Sequence, residues 1–407
     1  MKHPIARAAL LSAALTLGGC SDSGTTPAPI DQLPRALSLG EQRLIAAGNR
    51  FAVDLLGEVH RAAPDSTVFL SPLSASMALG MTMNGTAGAT LDQMRQTLGF
   101  GSAHLAEVNA SYHDLIALLR SLDSKVDLRL ANALFFRNGF QIEQPFLDVA
   151  RTSFDARIQG LDFANPAAAG TINTWVKDAT AGRIDQIVEP PIDDLTMAYL
   201  INAIYFEGDW TEKFDSKLTK SVPFRLNDGT TRQVALMETE QTLPFRKGSG
   251  WVAAELPYGG GAWVMTVAVP TADQGLAALV PDLAAIFDPD AQWNEREVNL
   301  FLPKFELEWE RVLNDDLIAL GMVDAFHDGR ADFTPMYRRA KEVGLHIKKV
   351  KQKTFLAIDE EGTEAAAVTS VEVGVTSAPP PRRWCARTGP SCSRFESDCP
   401  VPYCSLG

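Results

Sequence analysis

Between Cys20 and Cys385 the chain has no cysteine, so its body cannot be a scaffold held together by disulfides. It also lacks, after the first twenty residues, any apolar run long enough to span a bilayer as a helix. Histidine is scarce too: outside the first segment there are only His60, His104, His113, His327 and His346, and their spacing matches no common metal site. We therefore predict a body held by ordinary core packing, with no metal and no cofactor.

The common signatures of enzyme active sites are absent as well. There is no G-x-S-x-G nucleophile turn, no H-E-x-x-H zinc motif, no P-loop and no dinucleotide-binding G-x-G-x-x-G between a strand and a helix. The acidic cluster of Asp359, Glu360 and Glu361 has no partner acid or base in the sequence, which is typical of a solvated turn. The chain is therefore predicted not to be an enzyme.

Positive charge is in deficit, since 37 Lys and Arg face 50 Asp and Glu, for a formal charge of −13. Binding to nucleic acid needs clustered basic residues, so no nucleic-acid partner is expected. The densest basic run, Lys348, Lys349, Lys351 and Lys353, is interpreted as the solvated face of a strand.

The first nineteen residues are predicted to be a signal peptide. Lys2 and Arg7 precede a short apolar run, and Leu17-Gly18-Gly19-Cys20 resembles a bacterial lipobox. Cys20 would then carry a lipid, and residues 20–40 would form a flexible tether. We expect a secreted protein, lipid-anchored at the periplasmic or extracellular face of a bacterial membrane. An ordinary cleaved signal, with a cysteine there by chance, is the alternative.

Hydrophobic periodicity predicts an α+β fold, because helices and strands follow one another without a regular βαβ alternation. The predicted helices are 41–59, 74–98 and 172–179. The predicted strands are 128–136, 198–206, 263–270, 298–305 and 345–358.

Residues 359–369, Asp-Glu-Glu-Gly-Thr-Glu-Ala-Ala-Ala-Val-Thr, resemble the hinge of the serpins, a family of serine protease inhibitors. Further stretches resemble the family in the same order along the chain. They are Val-Phe-Leu-Ser-Pro-Leu-Ser at 68–74, Ala-Asn-Ala-Leu-Phe at 131–135, Asn-Thr-Trp-Val at 173–176, Asn-Ala-Ile-Tyr-Phe-Glu-Gly-Asp-Trp at 202–210, Leu-Pro-Lys-Phe at 302–305, and 321–333. The resemblance implies a serpin domain over 41–377, with helices packed around a large central mixed sheet plus further sheets.

The resemblance also implies the mechanism. A serine-type protease would attack an exposed reactive-centre loop, residues 360–377, and the cut loop would insert into the central sheet, trapping the acyl-enzyme. The hinge would be Glu360, Gly362, Thr363, Glu364, Ala365, Ala366 and Ala367. Counting the family's usual interval from Glu360 places the reactive bond at Thr376-Ser377, with Val375-Thr376 as the second choice. A small residue there favours a protease that prefers small or aliphatic residues.

Other functional positions carry over by motif. Ser71, Pro72 and Asn202 correspond to the shutter beneath the opening sheet, and Trp210 corresponds to the breach where insertion begins. Gln352 is a departure, because the family commonly has histidine there, and its hydrogen bonds would differ. Ser71, Pro72, Asn202 and Trp210 would also make sense as plain core residues.

The loop itself has the pattern of a strand that can enter a sheet. Alternate residues from Thr363 to Val375 are small or β-branched and uncharged, while Glu364 and Glu372 lie on the other parity. One face should therefore pack and the other should be solvated. A plain half-buried strand would show the same alternation.

Two alternatives stay open for function: a non-inhibitory or inactive serpin, and a lipoprotein binding module without a protease partner. The inhibitor is expected to be monomeric.

Residues 378–407 do not resemble a serpin C-terminus, although the family has two apolar core strands after the loop. Cys385, Cys392, Cys399 and Cys404 match no common zinc spacing. A neighbouring reading frame could encode a serpin-like ending from Arg387 onward, so we interpret the tail as frame-shifted. The C-terminal strands are therefore doubtful.

Overall fold

The structure is a computed structural model that describes residues 30, 32–226, 229–271, 279–288 and 291–376. The predicted signal peptide, the lipidation residue Cys20, Ser377 and the tail 378–407 lie outside the described residues. Among the described residues, no helix combines the length and apolar character needed to cross a membrane.

The helices of the described part are, in chain order, α1 (Leu39–Ala62), α2 (Pro72–Met83), α3 (Gly88–Thr97), α4 (Leu105–Arg120), α5 (Gln144–Phe154), α6 (Ala167–Ala179), α7 (Leu283–Ile286), α8 (Asn314–Ala319) and α9 (Ala340–Val343). The strands are β1 (Val126–Arg137), β2 (Ala156–Leu161), β3 (Thr196–Asp209), β4 (Lys220–Arg225), β5 (Thr231–Lys247), β6 (Trp251–Tyr258), β7 (Trp263–Pro270), β8 (Asn294–Val312), β9 (His346–Ile358) and β10 (Gly362–Gly374).

These strands form one continuous mixed sheet in the order β2-β1-β3-β10-β9-β8-β5-β6-β7, with β4 attached to β5. Only the pair β1 and β2 is parallel, and every other described pair is antiparallel. The long strand β8 joins two regions, because its first part pairs with β5 and its last part, from Phe305, pairs with β9. The predicted α+β class with a large central mixed sheet is confirmed.

The main core lies on one face of the central strands. Helix α2 runs directly beneath them and is buried on all sides from Ser74 to Met83, which its nearly uniform small and apolar composition permits. On the opposite face, Ile172 and Val176 of α6 pack against the sheet. The central strands are therefore covered on both faces.

Several predicted elements differ from the structure. The helical region 74–98 is two helices, because a break at Asn84–Ala87 brings Gly85 against Met336, where a Cβ would lie 2.8 Å from the Met336 side chain. Nine elements of the described part were not predicted from the sequence: the helices α4, α5, α7, α8 and α9 and the strands β2, β4, β5 and β6. Helix α5 carries apolar residues at helical spacing and was predictable, whereas β4 is almost entirely exposed and lacks the buried face that would mark it as a strand.

The most important difference concerns the loop. It was expected to be exposed, but Gly362–Gly374 is strand β10, paired with β3 on one side and β9 on the other. The loop is therefore not exposed in this structure, which has the inserted arrangement that the resemblance also implied. The physical reason is the loop's composition. Small and β-branched uncharged residues cost little free energy to remove from water, and in the middle of a sheet they gain strand hydrogen bonds and apolar burial.

Candidate functional site

The hinge is a tight turn that connects β9 to β10. The Asp359 carboxylate accepts hydrogen bonds from the backbone N–H groups of Glu361 (2.9 Å) and Gly362 (3.2 Å), a local arrangement that favours a turn. A side chain at position 362 would overlap the backbone carbonyl of Gly208 on β3. Glycine is therefore required where the loop enters the sheet.

Trp210 anchors this turn from the neighbouring strand end. Its indole N–H donates to the carbonyl of Asp359 (2.9 Å), and its backbone N–H donates to the carbonyl of Glu361 (2.9 Å). The ring is buried and stacks on Tyr258, with ring centroids 4.4 Å apart. The structure thus places Trp210 at the point where β10 begins.

The acidic residues of the turn have cationic partners. Glu360 lies 2.7 Å from Lys304 of β8 and accepts a hydrogen bond from Thr219, and Glu361 lies 2.5 Å from Lys213. The hydrogen bond from Lys304 lowers the pKa of Glu360 below its ordinary value. This turn is more than a solvated cluster, because its charges attach the hinge to its surroundings.

The first inserted residues are tightly enclosed. Thr363 is 7% exposed, and its hydroxyl accepts a hydrogen bond of 2.6 Å from the buried Tyr258. Ala366 and Ala367 are buried, and Ala365 is partly buried. There is no room for a large or charged side chain at Thr363 without moving the sheet.

Below the middle of β10, the predicted shutter residues are connected through Gln352. Its side chain forms a reciprocal pair with the backbone of Ser71, accepting from the N–H and donating to the carbonyl, both at 2.9 Å. Its Nε2 also donates to the Thr369 hydroxyl (2.8 Å), to which Ser74 donates as well (2.9 Å). Gln352 therefore joins the inserted strand to the start of α2.

The remaining shutter residues support this arrangement. Pro72 is the first residue of α2, where its missing N–H costs nothing, and Ser71 is the N-cap. The Asn202 amide donates to Asn132 (3.0 Å), but the Oδ1 atom of Asn202 is buried without a hydrogen-bond partner among the described residues. The shutter is thus a buried polar cluster that is nearly, but not fully, satisfied.

The alternation predicted for the loop is present. Val371, Val373 and Val375 join the main core, while Glu364 and Glu372 lie on the other face. That face is not simply solvated, however, because Ala366 and Val368 pack under α6 and Glu372 is only 9% exposed. The expectation of a solvated face was wrong because the sequence did not place α6 over it.

At the far end of β10, Thr376 is exposed, and both its backbone N–H and its hydroxyl donate to the carbonyl of Val343 (3.1 and 3.2 Å). Its predicted partner in the reactive bond, Ser377, lies outside the described residues. The choice of bond therefore stays a prediction.

Sequence reasoning missed the residues that receive the loop from the surrounding structure. Tyr258 contacts Thr363, and Lys304 pairs with Glu360. Arg183 and Tyr205 both bind the Glu364 carboxylate. They come from distant elements and have no common spacing. The only usable signal was the presence of Glu364 and Glu372 in the otherwise uncharged segment 362–374, since buried carboxylates require partners.

The site predicts a loss of stability in acid. Burial raises the pKa of Glu364, but its hydrogen bonds with Arg183 and Tyr205 lower it more, so the net pKa is below the ordinary value. A depressed carboxyl pKa stabilises the fold above the unfolded-state value of about 4.3 and loses this contribution as the pH falls through the folded-state value. We expect a melting temperature that is nearly constant from about pH 7 to pH 5 and falls below about pH 4.

Glu364→Gln should reduce that fall, by an amount of about 1 kcal/mol or less because the pair is partly exposed. Thermal unfolding of parent and variant across this pH range measures the difference. Glu308→Gln, at an exposed position of β8, is the matched control. Identical acid profiles for the parent and Glu364→Gln would contradict the assignment.

Comparison with known proteins agrees with this geometry. A model of the family described as "Serpin (serine protease inhibitor)" matches residues 46–386. The leukocyte elastase inhibitor of Sus scrofa is 34% identical over 81% of this chain and 89% of its own length. Among solved structures, cleaved Serpin 42Da is similar with a TM-score of 0.76 and 29% identity, over 82% of this chain and 91% of that one. The thermophilic serpin tengpin in its latent state is similar with a TM-score of 0.75 and 28% identity, over 83% and 90%. The chain belongs to the serpin family of serine protease inhibitors.

Proposed function

We propose that this serpin inhibits a serine protease with an elastase-like preference for small or aliphatic residues. The observation that carries the proposal is the composition of β10 and the residues after it. From Val373 through Thr376 the segment is uncharged and small or β-branched. A trypsin-like pocket, which binds Arg or Lys, would find no ligand there. The similar pig protein is named for inhibition of leukocyte elastase, which supports the same preference.

The mechanism follows from where β10 lies. The protease cuts the loop as a substrate and is held as an acyl-enzyme at the new end of the segment. Insertion between β3 and β9 moves that end along the whole length of the sheet, from the hinge to the region of Thr376. The protease supplies all the catalysis, while the inhibitor supplies the free energy released when the loop gains two strand partners.

We predict that the protease cuts between Thr376 and Ser377, with Val375-Thr376 as the second choice. Brief treatment with elastase or subtilisin, followed by mass spectrometry of the fragments, locates the bond. A cut found only after Arg382 or Arg383 would contradict both the bond and the proposed specificity.

Thr363→Arg should convert the inhibitor into a substrate. Thr363 is buried against Tyr258, so arginine would place an unpaired charge in the sheet at the first step of insertion. Cleavage should continue while the covalent complex, seen on a denaturing gel, falls by about tenfold or more. Thr363→Ser keeps the hydroxyl and is the control. Undiminished trapping by Thr363→Arg would exclude insertion at this hinge.

We further propose that the mature protein is a monomer attached to a membrane through a lipid on Cys20, at the periplasmic or extracellular face of a bacterial cell. The support is the sequence Leu17-Gly18-Gly19-Cys20 with its preceding basic and apolar segments. Expression in a bacterium with labelled fatty acid should label the parent chain and leave Cys20→Ala unlabelled. A labelled Cys20→Ala chain, or an unlabelled parent, would be evidence against the anchor.

A further inference from the structure

The two glutamates of β10 meet different receptors. Glu364, at the start of the strand, is held by the Arg183 guanidinium, with Nε 2.6 Å from the carboxylate, and by the Tyr205 hydroxyl at 2.8 Å. Glu364 enters the sheet early and near the surface. Glu372 lies eight residues further along and is more deeply buried.

A carboxylate that is 9% exposed needs a partner, because burying an unpaired charge costs several kcal/mol. The fully buried Thr196 hydroxyl donates to Glu372 at 2.5 Å. The only cation in an ion pair with Glu372 among the described residues is Lys348 of β9, with its Nζ at 3.5 Å. When the end of β10 inserts, the Glu372 carboxylate therefore comes next to the Lys348 ammonium.

A β-bulge in β9 orients the Lys348 side chain. Along β9, Lys349 is opposite Glu372 and Ile347 is opposite Val373, so Lys348 is an extra residue in a β-bulge. Bulges redirect side chains, and here the Lys348 side chain crosses the inserted strand at Gly374. Any larger residue at position 374 would overlap the Lys348 methylene groups and approach the Leu195 carbonyl to 2.7 Å.

The Lys348 ammonium has further partners that do not belong to the loop. It lies 2.8 Å from the Asp193 carboxylate and 3.3 Å from the Thr196 hydroxyl. Asp193 precedes β3 and Thr196 begins it, so the Lys348 side chain of β9 reaches across β10 to the strand on the other side. Glu372 thus contacts groups from the two strands that β10 separates, Lys348 of β9 and Thr196 of β3.

We propose that Lys348 is a positioning residue that completes insertion, by receiving Glu372 at the end of the movement. Without Lys348, the upper part of β10, from the hinge to Thr369, would still insert between β3 and β9, because its partners are Tyr258, Arg183 and Gln352. The lower part, from Glu372 onward, would stay out, since its carboxylate would be buried without a cation. The proposal deepens the inhibitory mechanism and rests on it.

Two engineered disulfides separate complete from partial insertion. Val368 faces Ala203 in the upper half and Val373 faces Ala198 in the lower half, both across to β3. Neighbouring strands hold such pairs about 4.5–5.5 Å apart, within disulfide range. The upper reporter is Ala203→Cys with Val368→Cys, and the lower reporter is Ala198→Cys with Val373→Cys.

The experiment uses the full chain with its five natural cysteines changed to serine. Subtilisin cuts the loop, a mild oxidant is added, and mass spectrometry of the tryptic peptides measures each disulfide. In the parent both should form. In Lys348→Ala the upper disulfide should form as in the parent, while the lower one should fall by about tenfold.

Two further variants separate a specific ion pair from general effects. Lys349→Ala removes the exposed charge directly opposite Glu372 in the strand register, which forms no ion pair with Glu372 in the described part of the chain, and it should leave both disulfides unchanged. Lys348→Ala with Glu372→Gln should restore the lower disulfide, because a neutral amide no longer needs a cation. The ratio of cleaved inhibitor to trapped elastase should rise in Lys348→Ala and return in the double variant.

Three results would overturn the proposal. They are an unchanged lower disulfide in Lys348→Ala, an equal loss of both disulfides, and the same loss in Lys349→Ala. The disulfide readout uses subtilisin only as a loop cutter, so it is independent of the true target. If elastase is never trapped but the disulfides behave as expected, the target assignment fails while the role of Lys348 stands.

Discussion

The pairing of one strand, β10, with β3 on one side and β9 on the other is the interaction on which the rest of the site depends. It brings the Thr369 hydroxyl to Gln352 and Ser74, and it brings Thr363 to Tyr258. None of these contacts could exist if β3 and β9 were neighbours. The buried polar groups along the middle of the sheet are therefore arranged around β10 in its inserted position.

The inserted strand also shows how a buried sheet can accept charge. Its packing face is uncharged, and its two glutamates lie on the face beneath α6 and the following segment. Each is matched by a cation contributed from outside the strand, Arg183 or Lys348. Lys351 shows the same principle, since it was predicted to be solvated but is only 8% exposed and pairs with Glu189 and Glu310.

Much of this could be predicted from local sequence, and the remainder could not for identifiable reasons. The alternation from Thr363 to Val375 predicts which side of the strand packs, because side-chain direction in a strand is a local property. The resemblance of 359–369 to a known hinge supplied the location of insertion. The partners of Glu364 and Glu372 were not predicted, because Arg183 and Lys348 reach these carboxylates only through tertiary packing. For Lys348 the contact also depends on a β-bulge, which no sequence pattern predicts. Whether the loop is inside or outside the sheet is likewise not local, since the same residues suit both states.

Strand β8 has a consequence for how a movement in one region of the sheet reaches the other. Its residues up to Lys304 pair with β5, and those from Phe305 onward pair with β9, so a single unbroken strand belongs to both regions of the sheet. Lys304, at the junction, is also the partner of Glu360 in the hinge. The two ladders use different residues of β8, so the two regions are coupled by the continuous backbone of β8 and not by shared hydrogen bonds. A displacement of β9 when the loop inserts is therefore carried along β8 toward the β5 side of the sheet, with Lys304 and the hinge residue Glu360 at the junction.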